Sequence, residues 1–360
     1  MKSNSKKKKN GRVITPRKQA SRIVRWWYQP RLVLPLWPLA PLSGLFTFLA
    51  AFRRTLYWLR LKRQTRLSIP VIIVGNVTVG GTGKTPTVLG LVELLKQAGY
   101  RPGIISRGYG GSGPFPQRVT ATSEPAAVGD EPKMLFELSG VPVAVAPKRG
   151  LAAQLLAESG EVDIILADDG LQHYALARDI EIAVVDGERG LGNGWRLPVG
   201  PLRESRRRLR KTNWVIINGG QSQTIEGLKL KRPEQAVPMA LAPMGWRRVS
   251  DGAEIEVPDG ESALAIAGIG NPERFFNLVM QHGIDLRETR VYPDHYAYAP
   301  TDFYDVSNEV PILMTEKDAV KCRSFARPHW YFLKVSAQFP EGFCEQFLQA
   351  VSACVQQKNQ

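Results

Sequence analysis

The 360-residue sequence predicts an α/β protein whose mostly parallel sheet lies between helical layers. Three observations predict it. The apolar β-branched run Val71-Ile72-Ile73-Val74 enters a glycine-rich turn, and Val88, Leu91, Val92 and Leu95 then recur at helical spacing as far as Gly99, a suitable left-handed stop. A second apolar run, 162–167, ends in Asp168-Asp169-Gly170. Further strand-like runs at 103–106, 141–146, 180–186 and 214–218 are separated by helical patterns or loops.

The turn reads Gly75-Asn76-Val77-Thr78-Val79-Gly80-Gly81-Thr82-Gly83-Lys84-Thr85. Strand, glycine-rich turn closing in Gly-Lys-Thr, then helix is the order a P-loop requires, so the sandwich is expected to be P-loop NTPase-like. Its glycines let successive N–H groups face phosphate oxygens, and a helix amino terminus favours the anion. Thr78, Val79, Gly80, Gly81, Thr82, Gly83, Lys84 and Thr85 are therefore the expected nucleotide cradle. Lys84 should reach the β- and γ-phosphates, and the Thr85 hydroxyl should ligate Mg²⁺. Thr78 departs from GxxxxGK[ST], which wants glycine there. Val79 excludes the variant that carries lysine at that position.

A strand ending in aspartate is how such proteins set a carboxylate beside the nucleotide's metal. Asp168 is expected at Mg²⁺, directly or through water, and Asp169 at the metal or the substrate. Neither an NKxD string for guanine nor an LSGGQ string occurs, which favours ATP.

Charge is distributed unevenly. Of 48 Lys and Arg, 17 lie in residues 1–70, which contain no Asp or Glu; the rest of the chain holds 31 basic against 33 acidic side chains. A nucleic-acid enzyme spreads positive charge over its working face, so this asymmetry predicts a local anchor and no nucleic-acid partner. Residues 32–52 carry no charge and would span about 31 Å as one helix, but Pro35, Pro38 and Pro41 oppose a continuous one. A helix from about Pro41 past Arg60 is favoured, with Leu42, Leu45, Phe46, Leu49, Phe52, Leu56 and Leu59 at helical spacing. Such a helix suits the interface of an anionic membrane; a single span and a helix packed on the protein's own core are the alternatives. Three cysteines without a CxxC pair and four histidines without HExxH spacing argue against a disulfide framework, a zinc site and a metalloprotease.

Toward the carboxyl end, short alternating runs around Asp251-Gly252 predict a hairpin, and strands at 263–267 and 311–315 with a helix at 273–281 predict a smaller α/β domain. The expected organisation is a basic tail and membrane-associated helix (1–69), a P-loop domain (70–236), a two-stranded hairpin linker (237–258) and a carboxyl-terminal α/β domain (259–355).

Several further strings stand out: Ser106-Arg107-Gly108-Tyr109-Gly110-Gly111, Gly129-Asp130-Glu131-Pro132, Asp168-Asp169-Gly170-Leu171-Gln172-His173, Gly200-Pro201-Leu202-Arg203-Glu204 and Pro293-Asp294-His295-Tyr296. With Val-Gly-Gly-Thr-Gly-Lys-Thr at 79–85 they closely resemble, in order, the tetraacyldisaccharide 4′-kinase family of Gram-negative bacteria, which tolerates Ser or Thr at position 78. The resemblance implies transfer of the ATP γ-phosphoryl group to the 4′-hydroxyl of a tetraacylated disaccharide 1-phosphate, giving lipid IVA. It implies Mg²⁺ and action at the cytoplasmic face of the inner membrane; a monomer is expected. It also implies Asp130 as the base, His295 as its partner, and Arg107, Arg149 and Arg203 as phosphate ligands, with Gln172, His173 and Glu204 on the substrate side.

Plainer readings stand beside these. Asp130 would cap a helix beginning near Glu131-Pro132. His295 would be a hydrogen-bonded loop residue, Glu204 part of a solvated turn, and His173 structural. A membrane-bound P-loop ATPase with a positioning or assembly role is the rival function, and a kinase or ligase for a soluble metabolite is a second.

Overall fold

The computed structural model describes residues 12–14, 22–219, 222–256, 263–294 and 296–360. Two compact units divide the chain: residues 21–242 with 336–360, and residues 243–335 with the amino-terminal segment.

The central strand of the larger unit, Val71–Gly75, is apolar at each of its first four positions because both its faces are covered. Ile72 and Val74 join one core; Val71 and Ile73 join another on the opposite face. The first core receives Val88, Leu91 and Leu95 from helix Lys84–Gln97, Leu135 from Asp130–Ser139, and Phe343, Phe347 and Val351 from Glu341–Asn359. The second receives Ala152, Ala153 and Leu156 from Arg149–Ala157. The result is an αβα sandwich. Strands run in the order Ala236–Arg248, Trp214–Asn218, Ile180–Asp186, Val71–Gly75, Ile164–Asp168, Pro102–Ser106, Val143–Val145, Gln117–Val119, all parallel but the last. Register sets the site: Val74 pairs with Asp168, so the glycine-rich and acidic turns leave neighbouring strands at the same level.

Residues 341–355, assigned from sequence to the carboxyl-terminal domain, pack instead in the larger unit, in a helix that runs on to Asn359. Burying Phe343, Phe347 and Val351 there is worth about 1.5–3 kcal/mol each, enough to hold a helix that would be marginal alone.

Before the sandwich, the prolines act as expected. Pro35 and Pro38 fall in a 3-10 turn, Leu34–Leu39, and Pro41 in the first turn of helix Ala40–Trp58. Leu36 is fully buried, and the Ser43 hydroxyl donates to Arg196 O at 3.0 Å, which fixes one side of the helix. Leu42, Leu45, Phe48, Leu49 and Phe52 stand at least half exposed, with Phe48 stacked on Phe52. Among the described residues, Leu34–Trp58 is the segment long and apolar enough to cross a membrane, by length and composition. The helix ends at Trp58 rather than running past Arg60. Leu59 N–H donates to Thr55 O at 2.8 Å, and Arg60 then turns the chain with φ 58°, a left-handed conformation usually left to glycine.

The smaller unit holds a parallel sheet in the order Arg12–Ile14, Leu286–Val291, Ala263–Ala267, Ile312–Thr315, Trp330–Gln338. Helices Pro272–Gln281 and Glu316–Cys322 accompany it. The hairpin forms as expected: Glu254 and Ile255 pair with Arg247 and Trp246 around Asp251-Gly252. Asp318, wholly buried, accepts from Gly268 N–H, Tyr298 OH and Thr315 Oγ1 at 3.0, 3.1 and 2.6 Å, so it closes off the end of a strand as a fully satisfied carboxylate.

Candidate active site

The glycine-rich turn is held by residues far away in sequence. Val79 N–H donates to Pro201 O at 2.9 Å, Arg203 N–H donates to Val77 O at 2.7 Å, and Thr78 bridges Leu202 antiparallel. Thr78 is 3% exposed and has ordinary backbone angles, which is why no glycine is needed where the strict pattern asks for one. Gly83 is different: its φ is 94°, and a Cβ there would stand 2.2 Å from Asn218 Nδ2. Asn218 Nδ2 donates to Thr82 O at 3.2 Å, and Asn76 Nδ2 to Thr82 Oγ1 at 3.3 Å, which braces the loop from beneath. Lys84 and Thr85 open the following helix.

The acidic turn faces it. Asp169 takes a left-handed conformation, φ 49°, that separates its carboxylate from that of Asp168. Its Oδ2 accepts from Arg203 Nη1 at 2.8 Å, and Lys84 Nζ stands 3.7 Å from Oδ1. Burial pushes this carboxyl up, but Lys84 and Arg203, aided by Arg149, outweigh it and hold Asp169 below the usual carboxylate range. Asp168 is 1% exposed, and neither of its oxygens has a hydrogen-bond partner among the described residues. Burial, then Glu131, push its carboxyl up to about 8 against the pull of Lys84 and Arg149. A buried carboxylate with both oxygens unsatisfied, acted on by Lys84, is a donor that suits a hard cation shared with phosphate oxygens. Among the described residues no three His, Cys, Asp or Glu side chains cluster.

Arg149 sits under this turn and is 7% exposed; Nη2 donates to the backbone oxygens of both Asp168 and Asp169 at 3.1 Å. It shapes the turn in the present geometry, and burial lowers its pKa. Gln172 Nε2 donates to Asn76 O at 2.9 Å and ties the acidic turn to the glycine-rich one. His173 is held neutral: burial, then Arg149, Arg178, Arg53 and Arg107, bring its pKa down to about 4. Glu204 is not in a solvated turn. It is 7% exposed and accepts from Tyr174 OH at 2.8 Å through both oxygens, and burial with this carboxylate pushes the phenol up to about 12.

Asp130 does not cap. The cap position is Gly129, φ 96°, no side chain there accepts from the helix, and Asp130 is the first helical residue. Its carboxylate is exposed and makes no hydrogen bond or ion pair among the described residues. A Cβ at Gly129 would lie 2.6 Å from Tyr109 O, so the turn bearing Asp130 abuts the loop bearing exposed Arg107. His295 lies outside the described residues, and its place relative to Asp130 is not part of the geometry.

Four site residues were not singled out from sequence: Glu131, whose charge acts on Asp168 and Arg149, Asn76, Asn218 and Tyr174. Glu131 and Asn76 lie inside strings that were read for their neighbours. Asn218 follows an apolar strand end, the same signal that marked Asp168.

Comparison with known proteins agrees with this geometry. The family model for LpxK, tetraacyldisaccharide-1-P 4′-kinase, matches residues 35–352. The tetraacyldisaccharide 4′-kinases of Idiomarina loihiensis and Tolumonas auensis are each 46% identical, over 88% and 91% of this chain and 93% and 96% of their own. A crystal structure of LpxK from Aquifex aeolicus in complex with ATP superposes with a TM-score of 0.75 at 26% identity, covering 89% of this chain and all of that one.

Proposed function

Since the chain belongs to the tetraacyldisaccharide-1-P 4′-kinase family, we propose that it transfers the γ-phosphoryl group of ATP to the 4′-hydroxyl of a tetraacyldisaccharide 1-phosphate to give lipid IVA, working as a monomer at the cytoplasmic face of the inner membrane. The observation that carries this reading is the presence, in one unit, of a nucleotide cradle and a helix with an exposed apolar face. An acceptor with four acyl chains stays in its bilayer, so the enzyme must reach the lipid surface.

In the reaction the acceptor oxygen bonds to the γ-phosphorus, the bond from that phosphorus to the β–γ bridging oxygen breaks, and the hydroxyl proton leaves. Asp130, an unpaired carboxylate at a helix start, takes the proton; a positioned base contributes roughly 10²–10⁴-fold. The loose transition state makes charge neutralisation and alignment the larger requirement. Lys84 meets charge developing on the β- and γ-oxygens, while Arg203 and Lys84 together keep Asp169 ionised. Thr85 with Asp168 and Asp169 would hold Mg²⁺, which supplies electrostatic relief across the β- and γ-phosphates. Arg107, exposed beside the Asp130 turn, would meet a phosphate of either substrate. Arg149 and Gln172 act through the turns they brace, and His173 and Glu204 would lie on the substrate side.

The test is direct. Incubated with γ-labelled ATP, Mg²⁺ and the disaccharide lipid, the protein should put label into the lipid; label found only in free phosphate would support the positioning ATPase instead.

A further inference from the structure

Where the amino-terminal helix ends, the chain builds a concave site outside the nucleotide cradle. Its volume is about 510 Å³, and it is lined by Arg54, Tyr57, Trp58, Arg60, Lys62, Arg63, Gln64, Arg66 and Tyr174. Five of these are cations and none is an acid; Glu204 stands behind the lining, on the hydroxyl of Tyr174. Among the described residues none of the five forms an ion pair. Like charges gathered around one concavity repel, and an anion relieves that repulsion.

The walls are fixed by backbone. Lys62 N–H donates to Leu56 O at 3.2 Å, Gln64 Nε2 to Tyr174 O at 2.8 Å and Thr65 N–H to Ala175 O at 2.8 Å. Arg60 takes up the left-handed turn, an unfavourable conformation for a residue with a side chain, and this keeps a guanidinium where glycine would suffice for the fold. Arginine presents a planar fork that holds phosphate oxygens two at a time. Beside the cavity, Trp58, Leu59 and Leu61 are 79, 51 and 70% exposed and continue the apolar face of Leu42, Leu45, Phe48, Leu49 and Phe52. Aromatic and apolar side chains next to clustered cations are the composition that suits the headgroup level of a bilayer.

We infer that this cavity binds the phosphate headgroup of an anionic bilayer lipid that is not the acceptor, and so sets the helix in the membrane surface. The inference deepens the lipid-kinase reading, but its test needs neither ATP nor acceptor.

The full chain is sedimented with phosphatidylcholine vesicles doped either with phosphatidylglycerol or, to the same surface charge, with oleate, which carries no phosphate. Arg60→Gly with Arg63→Gln keeps the left-handed turn and removes two guanidinium groups; Arg54→Gln with Lys62→Gln is a second cavity pair, and Arg17→Gln with Lys18→Gln is a control of equal charge in the basic arm. Both cavity pairs should lose about 100-fold in binding to phosphatidylglycerol vesicles and lose the preference for phosphate over oleate, while the control loses about tenfold and keeps it. Equal losses in all three pairs, or no preference in the parent protein, would show a diffuse charge effect and overturn the site. Unchanged vesicle binding with a raised KM for acceptor dispersed in detergent would assign the cavity to the acceptor's own phosphate and equally overturn it. If no kinase product forms at all, the partition result still decides the inference.

Discussion

Arg203 Nη1 donates to Asp169 Oδ2 at 2.8 Å, and this contact ties the turn after Pro201 to the acidic turn after Ile164–Asp168. The same Arg203 gives its backbone N–H to Val77. One residue therefore sets the spacing between the nucleotide loop and the carboxylates opposite it.

Replacing Arg203 tests that arrangement. Arg203→Ala removes a charge-assisted hydrogen bond worth about 1.5–3 kcal/mol, so kcat/KM should fall roughly 10–100-fold. Lysine at this position restores charge without the fork and should recover only part of the loss. Full activity in the alanine variant would detach Asp169 from catalysis.

Asp130 offers a cleaner separation of chemistry from stability. Because its exposed carboxylate caps nothing, Asp130→Asn should leave the thermal midpoint unchanged, within the roughly 0.5 kcal/mol typical of surface substitutions. The expected loss is in kcat, by about 10²–10⁴-fold, with ATP affinity preserved. Calorimetric titration of ATP beside steady-state rates checks both halves, and a normal kcat would remove Asp130 from its role as base.

The stacked pair Phe48 and Phe52 should matter to membrane attachment and not to folding. Each is more than half exposed, so Phe48→Asp with Phe52→Asp removes no core contact. Vesicle co-sedimentation should fall by about 10²-fold or more, from lost apolar burial and added negative charge, while urea midpoints hold. A large drop in midpoint instead would mean that this face packs on protein.

His173 predicts a pH dependence of known sign. Its folded pKa is brought down to about 4 from an ordinary 6.5, so between these values the unfolded chain binds a proton that the folded chain refuses. Stability contributed by the neutral imidazole is present above pH 6.5 and is lost as pH falls toward 4, by about 1–3 kcal/mol in total. Denaturant midpoints measured across that window should flatten in His173→Gln; an unaltered slope would place the proton elsewhere.

Much of this was legible from residue order. Strands Ile180–Asp186, Trp214–Asn218 and Ala263–Ala267 match their expected bounds to the residue, because each is an apolar run buried on both faces. The glycine-rich and acidic turns were legible because their chemistry demands particular residue types at particular strand ends. Leu286–Val291 was not picked out: Arg287, Glu288 and Arg290 break any apolar run, and pairing on both sides makes it a strand. Glu341–Asn359 was missed for a related reason. Its core residues pack on a surface assembled from segments distant in sequence, Trp214 against Phe343 and Phe347 among them. In the site, single residues were legible but their partners were not. Nothing in the order of residues says that Arg149 supports the acidic turn from below, that Glu204 is buried against Tyr174, or that Gly129 rather than Asp130 occupies the cap.

The pairing of Thr78 and Val79 with Leu202 and Pro201 bears on how the molecule matures. A loop shaped by a partner so distant cannot acquire its form while the chain is still short; such contacts close late because the intervening polypeptide must first be ordered. A nascent fragment ending before Pro201 would carry every residue of the phosphate-binding signature and still lack its curvature. Competence to hold nucleotide thus waits until the chain has been made past its midpoint, as far as Leu202.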